Sequence, residues 1–360
     1  MTVPEGIAPD RVSAWFVGNI PATSPPLRFQ LIAGGHSNLT YLVTDASGRR
    51  RVLRRPPTGH LLPTAHDMGR EFRLISAVQP AGIPAPRPYG LCTDESVNGA
   101  PFYVMSYIEG LILRTPAQVT ENLDLEARRK ASESLVDTLA QLHALDPDEI
   151  GLGNLGRKGG FIGRQLKRWN GQYVACRDDF GGPRLSGVEE AFGILSSRVP
   201  QQATTSLIHG DYRLDNTMLD QNGSVLAVLD WELSTQGDPL ADLGQLLTYW
   251  VEPDDERSPL EAAPTKAPGF YTRDEIAARY AEKSGRDISE VPFYVAFNYW
   301  KLACIMEGVY TRYVAGAMGD ASVDLDAMRE SLEWLGEHAQ SEARDLASQL
   351  GKRPDWADHV

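Results

Sequence analysis

The stretch 207–232, LIHGDYRLDNTMLDQNGSVLAVLDWE, decides how the rest of the chain is read. Leu207 and Ile208 begin it as a short apolar strand, and residues 209–216 form a polar loop. Residues 217–220 and 225–229 then make two strands across the turn pair Asn222-Gly223, closed by Asp230. Asp211, Asn216 and Asp230 fall where strands give way to loops, so a rigid sheet can aim all three side chains at one point. Metal-assisted phosphoryl transfer needs such a set. One carboxylate orients or accepts the proton of an attacking hydroxyl, while an amide and a second carboxylate supply hard oxygen ligands to Mg²⁺. The same residues also suit structural duty, Asp211 and Asn216 in a turn and Asp230 as a helix cap.

His209, Asp211 and Asn216 stand in the order H-x-D-x-x-x-x-N of the kinase catalytic loop. Asp230, in Asp230-Trp231-Glu232, stands where kinases keep the Asp of D-F-G. HGDYRLDN followed by LDWE resembles the aminoglycoside phosphotransferase family, the small-molecule branch of the protein-kinase-like fold, where HGD replaces HRD and D-x-E/D replaces DFG. The run 52–72, VLRRPPTGHLLPTAHDMGREF, is similar to the branch of that family also found fused to acyl-CoA dehydrogenases. The resemblance implies an α+β, bilobal protein-kinase-like fold. Its N-lobe would be an antiparallel sheet with one main helix, over residues 28–108, after a lead-in of 1–27. A mostly helical C-lobe would occupy 109–360.

Composition is compatible with this. The chain has 360 residues, 42% of them hydrophobic, enough to bury large cores in two lobes. Its 35 Lys and Arg against 48 Asp and Glu give a net charge of −13, so a nucleic acid is not the expected partner; a small-molecule substrate is what the resemblance implies. Cys92, Cys176 and Cys304 lie far apart without C-x-x-C spacing, which points to neither a disulfide framework nor a zinc site and suits the cytoplasm. The N-terminus carries Glu5 and Asp10 in place of a secretory apolar core. The most apolar long segment, 291–318, is interrupted by Lys301, Glu307 and Arg312, as a buried helix would be and a membrane span would not.

Residues 1–27 read as irregular, with one amphipathic patch at Val12, Trp15 and Phe16. Strands follow at 29–33, 39–44 and 51–54. The tip between the first two is Gly34-Gly35-His36-Ser37-Asn38, where glycine lets backbone N–H groups approach phosphates and Ser37 and Asn38 add donors. An ordinary hairpin turn has the same composition. Where protein kinases keep the Lys of V-A-I-K, this chain has Arg54 and Arg55, and period-2 alternation from Val52 turns Arg54 to the nucleotide. A helix is expected from Thr64 to about Val78 with Glu71 near its middle, and the resemblance makes Glu71 the partner of Arg54. The run 101–110 reads as an apolar strand breaking at Gly110, and there the resemblance places a hinge: Met105 behind the adenine ring, and main-chain groups around Ser106 to Ile108 on its edge.

Beyond the hinge the periodicity is helical, with helices expected at 123–145, 161–177, 186–199, 274–284, 290–317 and 323–350. His143 reads as a structural histidine. Asp238-Pro239 signals a helix start, and Asp242 is placed to tie that helix to the catalytic loop. The expected reaction uses ATP, with GTP not excluded, and Mg²⁺ to phosphorylate a hydroxyl. Asp254, Asp255, Glu256 and Glu261, in a loop over the cleft, would suit an aminoglycoside. Arg157, Lys158, Arg164, Lys167 and Arg168 would suit a hydroxyacyl-CoA. A reading of another class, a pseudokinase-like module that binds nucleotide without chemistry, rests on arginine at the lysine position.

Overall fold

The computed structural model describes residues 4–33, 38–58, 67–259, 262–316 and 323–348. The first lobe runs α1 (Pro9–Asn19), β1 (Arg28–Ala33), β2 (Leu39–Thr44), β3 (Arg50–Arg55), α2 (Met68–Val78), β4 (Pro88–Cys92), the single turn α3 (Glu95–Asn98) and β5 (Phe102–Ser106). Its five strands form one antiparallel sheet in the order β1-β2-β3-β5-β4. Strict alternation divides the sheet's faces. Tyr41, Leu53, Phe102 and Val104 pack on the back with Val12 and Phe16 of α1. Thr40, Val52, Arg54, Tyr103 and Met105 point the other way, into the cleft between the lobes. Arg54 therefore faces the cleft as expected, while Arg55 turns to the back and donates to the carbonyls of Gly6 and Asn98.

Three local expectations are corrected. The lead-in holds an 11-residue helix, α1. Its Val12–Phe16 pair is a single apolar turn, too little to specify a helix until the back of the sheet covers it. The second helix starts at Met68, where the Asp67 side chain accepts from Arg70 N, so Glu71 lies in its first turn. Thr64 itself falls outside the described residues. β5 ends at Ser106, short of Gly110, and Leu111 is already bridged to Leu219 of the second lobe.

The second lobe continues α4 (Pro116–Asn122), α5 (Leu125–Ala144), α6 (Phe161–Phe180), α7 (Ser186–Ser197), β6 (Ser206–Ile208), β7 (Thr217–Leu219), β8 (Val225–Val228), β9 (Thr235–Gly237), α8 (Pro239–Tyr249), α9 (Arg273–Ser284), α10 (Val291–Val314) and α11 (Leu325–Ser348). Asp124 caps α5, so the expected helix from 123 is preceded by the separate turn pair of α4. β7 and β8 form the hairpin signalled by Asn222-Gly223, and β6 pairs antiparallel with β9, a strand the sequence pattern did not announce. α10 is buried on nearly all sides between Phe293 and Cys304, packed among α6, α7, α8 and α11. Among the described residues no helix is long and apolar enough to cross a membrane. One apolar core runs from Leu74, Ile75 and Tyr103 of the first lobe through Val228 and Trp231 to Leu243 and Tyr280 of the second, so the lobes meet around the segment 207–232.

Candidate active site

The loop after β6 is held from beneath by one buried carboxylate. Asp242, in the first turn of α8, accepts from His209 N at 2.6 Å and Gly210 N at 2.9 Å, and contacts His143 Nε2 at 3.2 Å. Burial would raise this carboxyl, but the bond to His143 and the charges and donors around it outweigh burial and lower its pKa. His143 also meets the Tyr280 hydroxyl at 2.7 Å, the structural role expected of it. The His209 ring is buried between Tyr212 and Trp231, with Nε2 2.9 Å from Leu229 O, and so ties the loop to the end of β8. Gly210 has φ +83°, and a Cβ there would lie 2.7 Å from Leu233 O. Only glycine fits that turn without strain.

This scaffold presents Asp211 with both carboxylate oxygens engaged. Oδ1 accepts from Gln245 Nε2 at 2.7 Å and Oδ2 from Asn216 Nδ2 at 2.8 Å. Asn216 Nδ2 also donates to Asp211 O at 2.9 Å, which leaves its carbonyl oxygen as the group turned to the cleft it lines. Leu229 N donates to Asn216 O at 2.9 Å and so sets the next residue, Asp230, beside it. Asp230 adopts the left-handed conformation, φ 62° and ψ 62°, unusual for a non-glycine and a form of strain that clusters at functional sites.

From the other lobe, Arg54 reaches Asp230 Oδ1 through Nη2 at 2.8 Å and Glu71 Oε2 through Nε at 2.9 Å. The Arg54–Glu71 pair inferred from the family resemblance is thus formed. Tyr103 donates its hydroxyl to Glu71 at 3.0 Å, and Asn38 Nδ2 donates to Glu71 at 2.7 Å and to Glu232 at 3.3 Å. Asn38 thus donates its amide to the carboxylate network while lining the interlobe cavity. Gly34, Gly35 and Ser37 fall outside the described residues. Burial pushes the Glu71 carboxyl up against the pull of Arg54, and burial with the charge of Asp230 and Glu71 pushes Glu232 up to about 7. Arg54 is held charged: burial would lower it, and Glu71, Tyr103 and Asp230 more than reverse that. Arg70, on α2, clamps the strand exit by donating to the carbonyls of Glu232 and Ser234.

Two cavities flank the Asp211–Asn216 contact. The first, about 360 Å³, lies between the lobes and is lined by Asn38, Arg54, Met105, Ile108, Asn216 and Asp230, with Ser106 at its hinge edge. Ser106 N donates to Arg87 O at 2.8 Å, so that N–H is already engaged within the lobe. The second, about 380 Å³, holds Asp211 with Gln245, Lys301, Arg168, Arg213 and Tyr249 in its wall. Burial lowers the pKa of Lys301, against the opposing charge of Asp211 and Asp242.

The acidic run does not line that second cavity. Asp255 pairs with Arg273, Asp254 and Glu256 are exposed, and Glu261 lies outside the described residues. Of the basic candidates only Arg168 reaches it; Lys158 pairs with Asp148. Sequence reading missed Gln245, Lys301 and Arg213. Gln245 had a signal, since it follows Asp242 by three helical positions and so shares its face. Lys301 had only its place as a cation interrupting a long apolar run, a feature it shares with Arg312 of the same helix.

Among the described residues no group of three His, Cys, Asp or Glu is suited to hold a metal ion. Asn216 and Asp230 instead offer an amide oxygen and a carboxylate. That small set fits Mg²⁺, which keeps several waters and takes its other ligands from phosphates.

Residues 28–280 match the family described as the phosphotransferase enzyme family. Acyl-CoA dehydrogenase family member 11 of Gallus gallus is 36% identical over 312 residues, covering 84% of this chain and 39% of that protein. Acyl-CoA dehydrogenase family member 10 of Mus musculus is 35% identical over 302 residues, 82% of this chain and 28% of that protein. The chain thus spans well under half the length of these relatives. A solved protein of Ralstonia eutropha JMP134, provisionally named an aminoglycoside phosphotransferase, is 28% identical with a TM-score of 0.78, over 93% of this chain and 98% of that one. Two more distant structures share the fold alone. They are choline kinase of Cryptosporidium parvum, 12% identical, TM-score 0.62, over 94% and 96% of the chains, and the GDP complex of aminoglycoside 2'-phosphotransferase-IIIa, 14% identical, TM-score 0.60, over 92% and 97%. The matched span takes in Arg54, Glu71, Asp211, Asn216 and Asp230, and the chain belongs to the phosphotransferase enzyme family, on its bilobal kinase-like fold.

Proposed function

We propose that the protein transfers the γ-phosphoryl group of ATP to a hydroxyl of a small molecule seated beside Asp211. The observation that carries this is the 2.8 Å contact of Asp211 with Asn216, because each of the two residues faces a different cavity. A nucleotide in the interlobe cavity would place its base between Met105 and Ile108 and its phosphates toward Arg54. An acceptor in the other cavity would set its hydroxyl against Asp211, which takes the hydroxyl proton as the oxygen attacks phosphorus and the bond to the leaving diphosphate breaks. Mg²⁺ held by Asn216 and Asp230 would neutralise phosphate charge. The guanine nucleotide in a fold relative keeps GTP as the alternative donor. The formed Arg54–Glu71 and Arg54–Asp230 pairs favour catalysis over a binding module that performs no chemistry.

The cavity beside Asp211 favours one class of acceptor. Lys301, Arg168 and Arg213 line it, Arg213 paired with Asp215 and Lys301 donating to Gln245, whereas Asp242 is committed to His209 and Gly210; the surplus of cations matches an anionic hydroxyl compound such as a hydroxyacyl-CoA better than a polycationic aminoglycoside. The relatedness to acyl-CoA dehydrogenase family members supports the same choice. The test is a phosphorylation screen with MgATP and MgGTP over hydroxyacyl-CoAs, amino alcohols and aminoglycosides. Turnover of the anionic acceptors is expected, with a loss of about 10³-fold or more in Asp211→Ala. Tight nucleotide binding with neither transfer nor slow hydrolysis would instead make the protein a binding module.

A further inference from the structure

We infer that Gln245 and Lys301 form a positioning pair that fixes the Asp211 carboxylate, Lys301 orienting it by setting which way round the Gln245 amide lies. Gln245 Nε2 is 2.7 Å from Asp211 Oδ1, and Gln245 Oε1 is 2.9 Å from Lys301 Nζ. An amide presents a donor at one end and an acceptor at the other, whereas an ammonium has donors alone. With Lys301 on one side, Gln245 must offer its carbonyl there and its NH₂ to the carboxylate. Turned about, it would set carbonyl against carboxylate and NH₂ against ammonium, two repulsive contacts in place of two bonds. Asn216 holds the other oxygen of Asp211 at 2.8 Å, so the carboxylate is gripped from both sides and its rotation is removed.

The fold keeps this grip close. Gln245 is buried and sits one helical turn beyond Asp242 on α8, so a single helix holds the catalytic loop by its backbone and by its acidic side chain. Lys301 comes from α10, and the two helices approach at Gly244, where a Cβ would lie 2.5 Å from Tyr294 Cβ. Asn298 Nδ2 donates to Ala241 O at 3.3 Å across the same seam. Neither Gln245 nor Lys301 lines the interlobe cavity, so the pair acts on Asp211 with no direct hold on a nucleotide there.

The inference rests on the phosphotransfer reading, and acceptor-free hydrolysis of MgATP tests it without involving the charge of the acceptor cavity. Lys301→Met and Gln245→Met are each expected to lower kcat about 10- to 100-fold, the cost of a carboxylate misplaced by about 1 Å, with KM for ATP within about twofold of wild type. The double variant is expected to be no worse than Gln245→Met, since Lys301 acts through Gln245. Additive losses, or a Lys301→Met enzyme within about twofold of wild type, would overturn the pairing. A crystal structure of Lys301→Met decides the same point without activity: Gln245 is expected to leave Asp211, beyond hydrogen-bond reach of about 3.5 Å. A retained contact overturns the inference. A wild-type protein inert toward both MgATP and MgGTP, with and without the acceptors screened above, sinks the phosphotransfer reading instead, and the crystal structure of the variant then decides the pairing by itself.

Discussion

Arg54 Nη2 lies 2.8 Å from Asp230 Oδ1, joining residues 176 positions apart and, through Glu71, linking the sheet and α2 of one lobe to the catalytic segment of the other. At the third-strand position where protein kinases carry a lysine, this chain presents an arginine. A planar guanidinium serves two carboxylates at once, from Nε and from Nη2, while the rest of the group borders the interlobe cavity.

Arg54→Lys is therefore not a restoration. One ammonium cannot meet Glu71 and Asp230 in the geometry of the fork, so kcat/KM for MgATP should fall about 10- to 100-fold, the worth of one charged hydrogen bond. Steady-state kinetics decide this. A lysine variant as active as wild type would show that the second prong is dispensable.

Glu232 gives the stability a pH dependence. Its folded pKa is about 7, above that of an exposed glutamate, so the folded state binds a proton that the unfolded state has released. The stability this contributes is complete below the unfolded value of about 4.3 and disappears as pH rises through about 7. Denaturant midpoints of the unliganded protein should therefore decline between about pH 5 and pH 8, and decline less in Glu232→Gln. Parallel pH profiles for the two proteins would remove Glu232 as the cause.

Asp242→Asn should damage both the fold and the turnover. An amide offers one acceptor oxygen where the carboxylate offers two, so the buried N–H of His209 or of Gly210 would face an NH₂ group. An unsatisfied buried donor costs about 1–3 kcal/mol, to be read from chemical denaturation. Activity should fall as well, because the affected peptide units lead directly into Asp211. Unchanged stability would mean that the loop finds other acceptors.

Gly244→Ala tests the seam between α8 and α10. The added methyl would come within 2.5 Å of Tyr294 Cβ and within 2.7 Å of its backbone carbon, and a helix backbone cannot swing aside as a side-chain tip can. The expected destabilisation is about 1–3 kcal/mol in a denaturant titration, the usual range for overpacking. A variant of wild-type stability would show that the helices separate there at no cost.

Some of this protein was legible in its residues alone, because the relevant physics is local. Spacing within one loop places His209, Asp211 and Asn216. Alternation along a strand turns Arg54 to the cleft and Arg55 away, and Asp238-Pro239 announces α8. The charge of the cavity beside Asp211 was decided only by tertiary packing: Asp255 of the acidic run pairs with Arg273, while Lys301 from α10 and Arg168 from α6 converge beside Asp211. Asn38 likewise met two carboxylates from distant segments, and α1 became a helix once the sheet covered its one apolar turn. A motif fixes which atoms a short stretch can present. Which charges surround them depends on residues far away along the chain, and no pattern in the sequence encodes that proximity until the helices pack.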